Sequence, residues 1–177
     1  MRKGMKNLLR VMLLSFLVLF GIQQPYQAQA ASGTIRYEDG ERYVGKYNAK
    51  TERKEGKGKY YCNNGCVITG TWKNDYLTGK ATAVYRNKDK YVGYFKYDQR
   101  NGSGTYIWKN GDRYKGSWKD DVMNGKGKYT WKNKNYVTGT WKNGKLNGKA
   151  TLKIRKYKYS IRVSNGKLKK VYRRKKA

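Results

Sequence analysis

Histidine is absent from the 177-residue chain and cysteine occurs only twice. Without an imidazole there is no Ser-His-Asp or Cys-His catalysis, and most transition-metal sites are lost as well. The two thiols, Cys62 and Cys66, are spaced CxxxC; they make neither a redox CxxC motif nor, without histidine, an adequate zinc site. Acid is scarce too, with 11 Asp and Glu against 42 Lys and Arg, a formal net charge of +31. The carboxylates fall in turn-like settings, Asp120-Asp121 and Glu38, Asp39 and Glu41, where acidic residues serve turn geometry. No pocket-forming segment accompanies them, so a carboxylate pair for glycoside hydrolysis has no support. The expectation is a protein that is not an enzyme and needs no cofactor or metal.

Long apolar runs are also missing: the longest, Val11 to Ile22, falls short of the roughly 20 residues that span a bilayer. It follows Arg2, Lys3, Lys6 and Arg10 and precedes Pro25 and Ala28-Gln29-Ala30, the three parts of a Sec-type signal peptide. Residues 1–30 are therefore expected to be removed, leaving a protein secreted or held at the cell envelope. No cysteine lies near the cleavage site, so a lipoprotein anchor is not indicated. In an exported chain Cys62 and Cys66, flanking an Asn-Gly turn signal, are expected to form a local disulfide. So short a bridge pins one turn and not the domain. The mature chain keeps 38 basic residues against 11 acidic, about +27. That exceeds the charge of about 2 to 8 that solubility needs, and it points to an anionic partner.

What the chain has in quantity is glycine, tyrosine and tryptophan at a fixed period of 23. Gly56, Gly79, Gly102, Gly125 and Gly148 keep that step without a slip, and so do Gly70, Gly93, Gly116 and Gly139, with Gly45 preceding them. Such a period decides the architecture before any local propensity. The units Tyr91 to Trp108 and Tyr114 to Trp131 read aromatic-x-Gly-x-aromatic, turn, Gly-x-Gly-x-Tyr-x-Trp. Alternation of period two places Tyr91, Gly93 and Phe95 on one face, and Gly102, Gly104, Tyr106 and Trp108 likewise, so each unit is a β-hairpin with one aromatic face. Between units, stretches such as Lys109-Asn110-Gly111-Asp112 supply turn residues, and the chain should meander hairpin after hairpin. Glycine at a strand centre leaves room for a neighbouring ring to lie across the backbone.

These residues resemble the MORN-repeat family over about Thr34 to Ile154. The resemblance implies an all-β fold, a single elongated antiparallel meander, and a role in membrane attachment or scaffolding. Residues 31–156 form the array, a half unit near 34–40 followed by five units. Departures are visible: Tyr43 to Gly56 carries two extra turn residues, Cys62 takes the place of Tyr85, Trp108 and Trp131, Ile68 and Val137 replace the leading tyrosine, and Ala81 and Ala150 replace the second glycine. Residues 157–172 read as a capping hairpin around Asn165-Gly166, which solenoids need at their ends. Residues 173–177 read as a frayed basic tail.

The basic charge also follows the repeat. Lys73, Lys96, Lys119 and Lys142 form one row and Arg86, Lys109, Lys132 and Arg155 another, both expected on the face opposite the aromatics. With two strands of about 4.8 Å per unit, cations in a row should stand roughly 9 to 10 Å apart, about one Debye length. The ladder Tyr47, Trp72, Phe95, Trp118 and Trp141 is expected to be core. Three readings follow: a scaffold docking through its basic ladder on an anionic membrane surface or acidic envelope polymer, a carbohydrate or wall module using exposed aromatics, and a nonspecific nucleic-acid binder. A protein partner along the sheet is a further possibility. Specific nucleic-acid recognition is not expected, since no recognition motif is present.

Overall fold

The computed structural model describes residues 30–176; all of the expected signal peptide except Ala30 lies outside the described residues. Thirteen strands form one open sheet in which each pairs antiparallel with its neighbours in sequence. They are β1 (Ala30–Arg36), β2 (Arg42–Asn48), β3 (Lys54–Tyr61), β4 (Val67–Lys73), β5 (Tyr76–Val84), β6 (Lys90–Lys96), β7 (Gln99–Ile107), β8 (Arg113–Lys119), β9 (Val122–Thr130), β10 (Tyr136–Lys142), β11 (Lys145–Ile154), β12 (Tyr157–Ser164) and β13 (Lys167–Lys176). The all-β meander of hairpins expected from the repeat is what the chain forms.

A one-layer sheet must bury its apolar surface within the layer itself, and the aromatic face does so by tiling rings across units. Tyr43, Tyr91 and Tyr114 are fully buried, and Trp72, Phe95, Trp118 and Trp141 are nearly so, while Tyr47 is partly buried. Each leading tyrosine meets the next unit's tryptophan edge to face, at centroid distances of 5.1 Å (Tyr43 to Trp72), 5.4 Å (Tyr91 to Trp118) and 5.2 Å (Tyr114 to Trp141). Those contacts join hairpin to hairpin where backbone pairing alone would leave a flexible ribbon.

The repeat glycines fall into two physical classes. Gly56, Gly79, Gly102, Gly125 and Gly148 all have positive φ, beside the register shifts that bend each hairpin. Gly45, Gly70, Gly93, Gly116 and Gly139 instead sit where something crosses the backbone. The Tyr91 ring lies over Gly93 and Gly104, and the Tyr114 ring over Gly116 and Gly127, so that a Cβ on either glycine of a pair would run into the phenol. Each ring ends by donating its hydroxyl to a carbonyl, Tyr91 to Tyr94 (3.2 Å) and Tyr114 to Ser117 (3.1 Å).

This explains the departures together. Where Ile68 and Val137 replace the tyrosine no ring covers the pair, and its second position can carry a methyl group. There Ala81 and Leu77 fill the space beside Gly70, and Ala150 and Leu146 the space beside Gly139.

The ends differ from expectation. β1 begins at Ala30, so the first element is a full edge strand and extends before the half unit. Residues 157–172 do form a hairpin around Asn165-Gly166, both at positive φ, but residues 173–176 are not frayed. Arg173 to Lys176 pair with Ser160 to Tyr157, because β12 would otherwise leave those backbone groups unpaired at the edge. Every residue of β13 is exposed.

Candidate functional site

The face opposite the rings carries the candidate site. In β6 it presents Lys90, Val92, Tyr94 and Lys96, in β8 Arg113, Lys115, Ser117 and Lys119, and in β11 Lys149, Thr151 and Lys153. Of the eleven acidic residues, ten lie in turns and only Glu55 lies within a strand. Glu55 is the second residue of β3, and its carboxylate accepts the backbone N–H of Asn74 in the neighbouring turn (3.0 Å). The broad middle of the polar face therefore holds lysine, arginine, threonine and serine with no opposing charge.

The acids are occupied at the two ends of the strands. At the two-residue turns, Asp75, Asp98 and Asp121 each donate a backbone N–H to the carbonyl 21 residues earlier, Lys54, Leu77 and Arg100. Each also accepts the N–H of that same residue on its carboxylate, at 2.8, 2.7 and 3.0 Å. Arg100 further binds Asp121 through its Nε at 2.8 Å and lies over Trp118.

At the longer turns the carboxylates look to the following unit. Asp89 accepts the Tyr106 hydroxyl and the Lys109 N–H, both at 2.7 Å. Asp112 accepts the Tyr129 hydroxyl (2.7 Å) and the Lys132 N–H (2.8 Å), and Glu41 accepts the Tyr60 hydroxyl. Burial would raise the Asp89 carboxyl, but the Tyr106, Lys109 and Asn87 donors outweigh it and hold it below the ordinary range. The Tyr129 hydroxyl and the Lys132 N–H do the same for Asp112. A carboxyl serving as general acid would need the opposite displacement.

The partner of each acid covaries with it along the chain. Cys66 occupies the turn position of Asp89, and its opposite number is Ala83, which has no hydroxyl to offer. Asn135 occupies the same position facing Leu152, and accepts only the Arg155 N–H (2.9 Å). Cys62 and Cys66 are joined across their turn, which has the backbone bonds of its counterparts: Cys62 N–H to Cys66 and Gly65 N–H to Cys62, as in Trp108 with Asp112 and Gly111.

The two basic rows read from the sequence do not share a face. Lys73, Lys96, Lys119 and Lys142 end their strands on the polar side, just before the two-residue turns. Arg86, Lys109, Lys132 and Arg155 lie in the turns at the other end of the strands, roughly 20 Å away along the strand direction. Alternation applies only inside strands, and these four stand just past the end of theirs. Between the rows lie further cations that the two rows do not include, Lys57, Lys80, Lys126 and Lys149. They fill the middle position of the glycine pair (Gly56-Lys57-Gly58, Gly125-Lys126-Gly127) at the same period of 23, with Ser103 at that position in the unit between Lys80 and Lys126, and that spacing is their signal in the sequence.

Three shallow depressions run end to end over this face, of about 580, 660 and 760 Å³. The first two share Lys80 and Val92, and the last two share Lys126 and Thr138. A fourth, about 650 Å³, lies on the aromatic face beside Asp75, Asp98, Arg100 and Asp121, whose carboxylates are committed to backbone N–H groups. Among the described residues no cluster of histidine, cysteine and carboxylate could hold a metal ion.

No curated protein matches the chain. Among solved structures it is similar to the TCP10 domain of Danio rerio CPAP in complex with a peptide of STIL, at 11% identity and a TM-score of 0.48, over 75% of this chain and 64% of that one. It is also similar to the TCP10c domain of Drosophila melanogaster Sas-4, at 16% identity and a TM-score of 0.39, over 78% and 92% of the two chains. The chain thus spans less than two thirds of the CPAP domain. The MORN repeat model matches residues 53–67, 69–90, 91–113, 114–136 and 138–156, more than half of the sequence and in step with the hairpins described above; the chain belongs to the MORN-repeat family.

Proposed function

We propose that this is an exported, non-enzymatic interaction module that docks on anionic material of the cell envelope, phospholipid headgroups or an acidic polymer, through its polar sheet face. The observation that carries the reading is the segregation of charge: lysine and arginine populate the face, while all acids but Glu55 are in turns, where Asp75, Asp98, Asp89 and Asp112 among them are engaged in structural hydrogen bonds. Carboxylates on the face would have neutralised it at no cost to the fold. Their exclusion leaves a surface whose many weak contacts add, and whose binding falls steeply with salt.

The aromatic alternative loses ground on burial, because Trp72, Trp118, Trp141 and the leading tyrosines that would stack on sugars are core, with Trp108 and Trp131 partly buried against them. The test is co-sedimentation of the mature protein with vesicles containing anionic phospholipid, with neutral vesicles, and with an immobilised acidic polymer, at low and high salt. Salt-sensitive binding to an anionic probe is expected. Binding indifferent to charge and salt, or none to any anionic probe, would overturn the reading.

A further inference from the structure

We infer that the polar face is a trough for one extended polyol-phosphate chain lying across the strands, a deepening that rests on the anionic docking reading above. The sheet register supplies the path. One row of directly paired residues crosses all thirteen strands, from Thr34 through Val44, Lys59 and onward to Ser160 and Arg173. At about 4.8 Å per strand the path is roughly 58 Å long.

The row is rich in hydroxyls: Thr34, Thr69, Thr82, Thr105, Thr138, Thr151 and Ser160 all belong to it. Cationic rows flank it two residues away along each strand. On one side stand Lys57, Lys80, Lys126, Lys149 and Arg162, and toward the opposite end of the strands Arg42, Lys90, Arg113, Lys153 and Lys158. The three depressions follow this path.

The chemistry selects among polyanions. Of the seven hydroxyls only that of Thr138 has a protein partner, the Gly127 carbonyl at 3.3 Å; the other six have none among the described residues. Thr82, Thr105 and Thr151 are half-buried between longer lysines. A flat bilayer meets the lysine tips and leaves those hydroxyls uncovered. A flexible chain can enter, its phosphate oxygens accepting from threonine O–H and lysine N–H, its polyol hydroxyls donating to threonine oxygens.

Nucleic acid has the charge, but its bases need free rings to stack on. Tyr61 and Tyr136 on this face are capped by Arg42 and Lys128, at 3.8 and 3.9 Å. Tyr94 and Tyr172, both exposed, stand on β6 and β13, too far apart for consecutive bases, and the exposed Tyr76 and Tyr97 are packed edge to face on each other (5.7 Å) at the two-residue turns, off the path.

The test compares three probes, poly(glycerol phosphate), single-stranded DNA of equal phosphate number, and anionic phospholipid vesicles, against the mature protein and a triple variant, Thr82→Val with Thr105→Val and Thr151→Val. Valine keeps the shape and suits a strand, and the charge is untouched. The polymer should bind the parent more tightly than DNA does. The triple variant should bind it at least about tenfold more weakly, the loss of three hydrogen bonds, with an unchanged salt slope and unchanged vesicle binding. The matching Thr→Ser triple, which keeps the hydroxyls, should retain affinity and so separate their loss from a fold defect.

Equal affinity of the valine variant, an equal loss in the serine variant, or DNA binding as tight as the polymer's would overturn the trough. Vesicle binding without polymer binding would overturn it too while leaving the docking reading standing. Silence from all three probes would remove both.

Discussion

The two halves of this sheet are built alike and charged differently. All eleven acidic residues lie at or before Asp121, whereas the chain beyond it carries 19 Lys and Arg and no acid. Yet the interlocking turns persist. Asp75, Asp98 and Asp121 give way to Gly144 and Gly166, which still donate their N–H to the carbonyl 21 or 20 residues earlier, that of Met123 or Leu146. Asp89 and Asp112 give way to Asn135, which still accepts an N–H from the next unit. The acids of the first half answer local donors, tyrosine hydroxyls and bulge N–H groups. Where Leu152 replaces the tyrosine the donor is gone, and the acid with it. The scaffold therefore does not require carboxylates, and the second half is a stronger polycation on the same frame.

The largest effect that tests this comparison concerns packing. Gly127→Ala places a methyl group inside the Tyr114 ring and should cost about 3 kcal/mol, at the upper end for overpacking, read as a lowered midpoint of urea unfolding. The equivalent position in the next unit is Ala150, where Ala150→Gly should cost only about 1 kcal/mol. Combining Tyr114→Val with Gly127→Ala imitates the Val137 unit and should cost less than the two single changes added together. Strict additivity would show that ring and glycine are not coupled.

Alkali should next distinguish the halves. Burial pushes Tyr114 up to about 12 from an ordinary value of 10, and burial with the Asp112 carboxylate does the same for Tyr129. Because the folded values are raised, their contribution is complete below pH 10 and is lost as pH climbs from 10 toward 12. Hydrogen exchange should therefore open β2, β6 and β8, which hold Tyr43, Tyr91 and Tyr114, before β10, whose equivalent position is Val137. Simultaneous opening would contradict the division.

A smaller effect lies at the turns. Asp89→Asn keeps one acceptor where two are needed, for Tyr106 and Lys109, and should cost about 1 kcal/mol. The folded carboxyl lies below its unfolded value of about 4. Its stabilisation is thus present above that value and lost as pH falls through the folded one. Acid titration of stability should flatten in the Asn variant; an unchanged acid limb would assign it to other groups.

The sequence carried the strands, their order, the aromatic core and the disulfide turn, because alternation and a period of 23 are one-dimensional signals. Three features were hidden for physical reasons. Arg86, Lys109, Lys132 and Arg155 were placed on a face by extending alternation into turns, where side-chain direction follows turn geometry. Ile68 with Ala81, and Val137 with Ala150, read as separate departures because their coupling passes through a ring lying across two strands. The row from Thr34 to Arg173 depends on bulges that shift the pairing of each hairpin by two residues, and no fixed offset within one strand reveals it.

The smallest expected change is the most direct probe of why the second half lacks acid. Asn135→Asp restores the residue type found at Asp89 and Asp112, and the Arg155 N–H it must accept is already in place. It introduces one negative charge among 19 positive ones, which relieves self-repulsion. Stability should rise by a few tenths of a kcal/mol at low salt, and the gain should disappear at high salt. Binding to an anionic probe should weaken slightly over the same range. Such a trade would mean that the acid-free half sacrifices stability for positive potential, as a docking surface requires. A variant that is destabilised at low salt would instead tie the missing acids to folding, and the charge asymmetry would then no longer support a binding role.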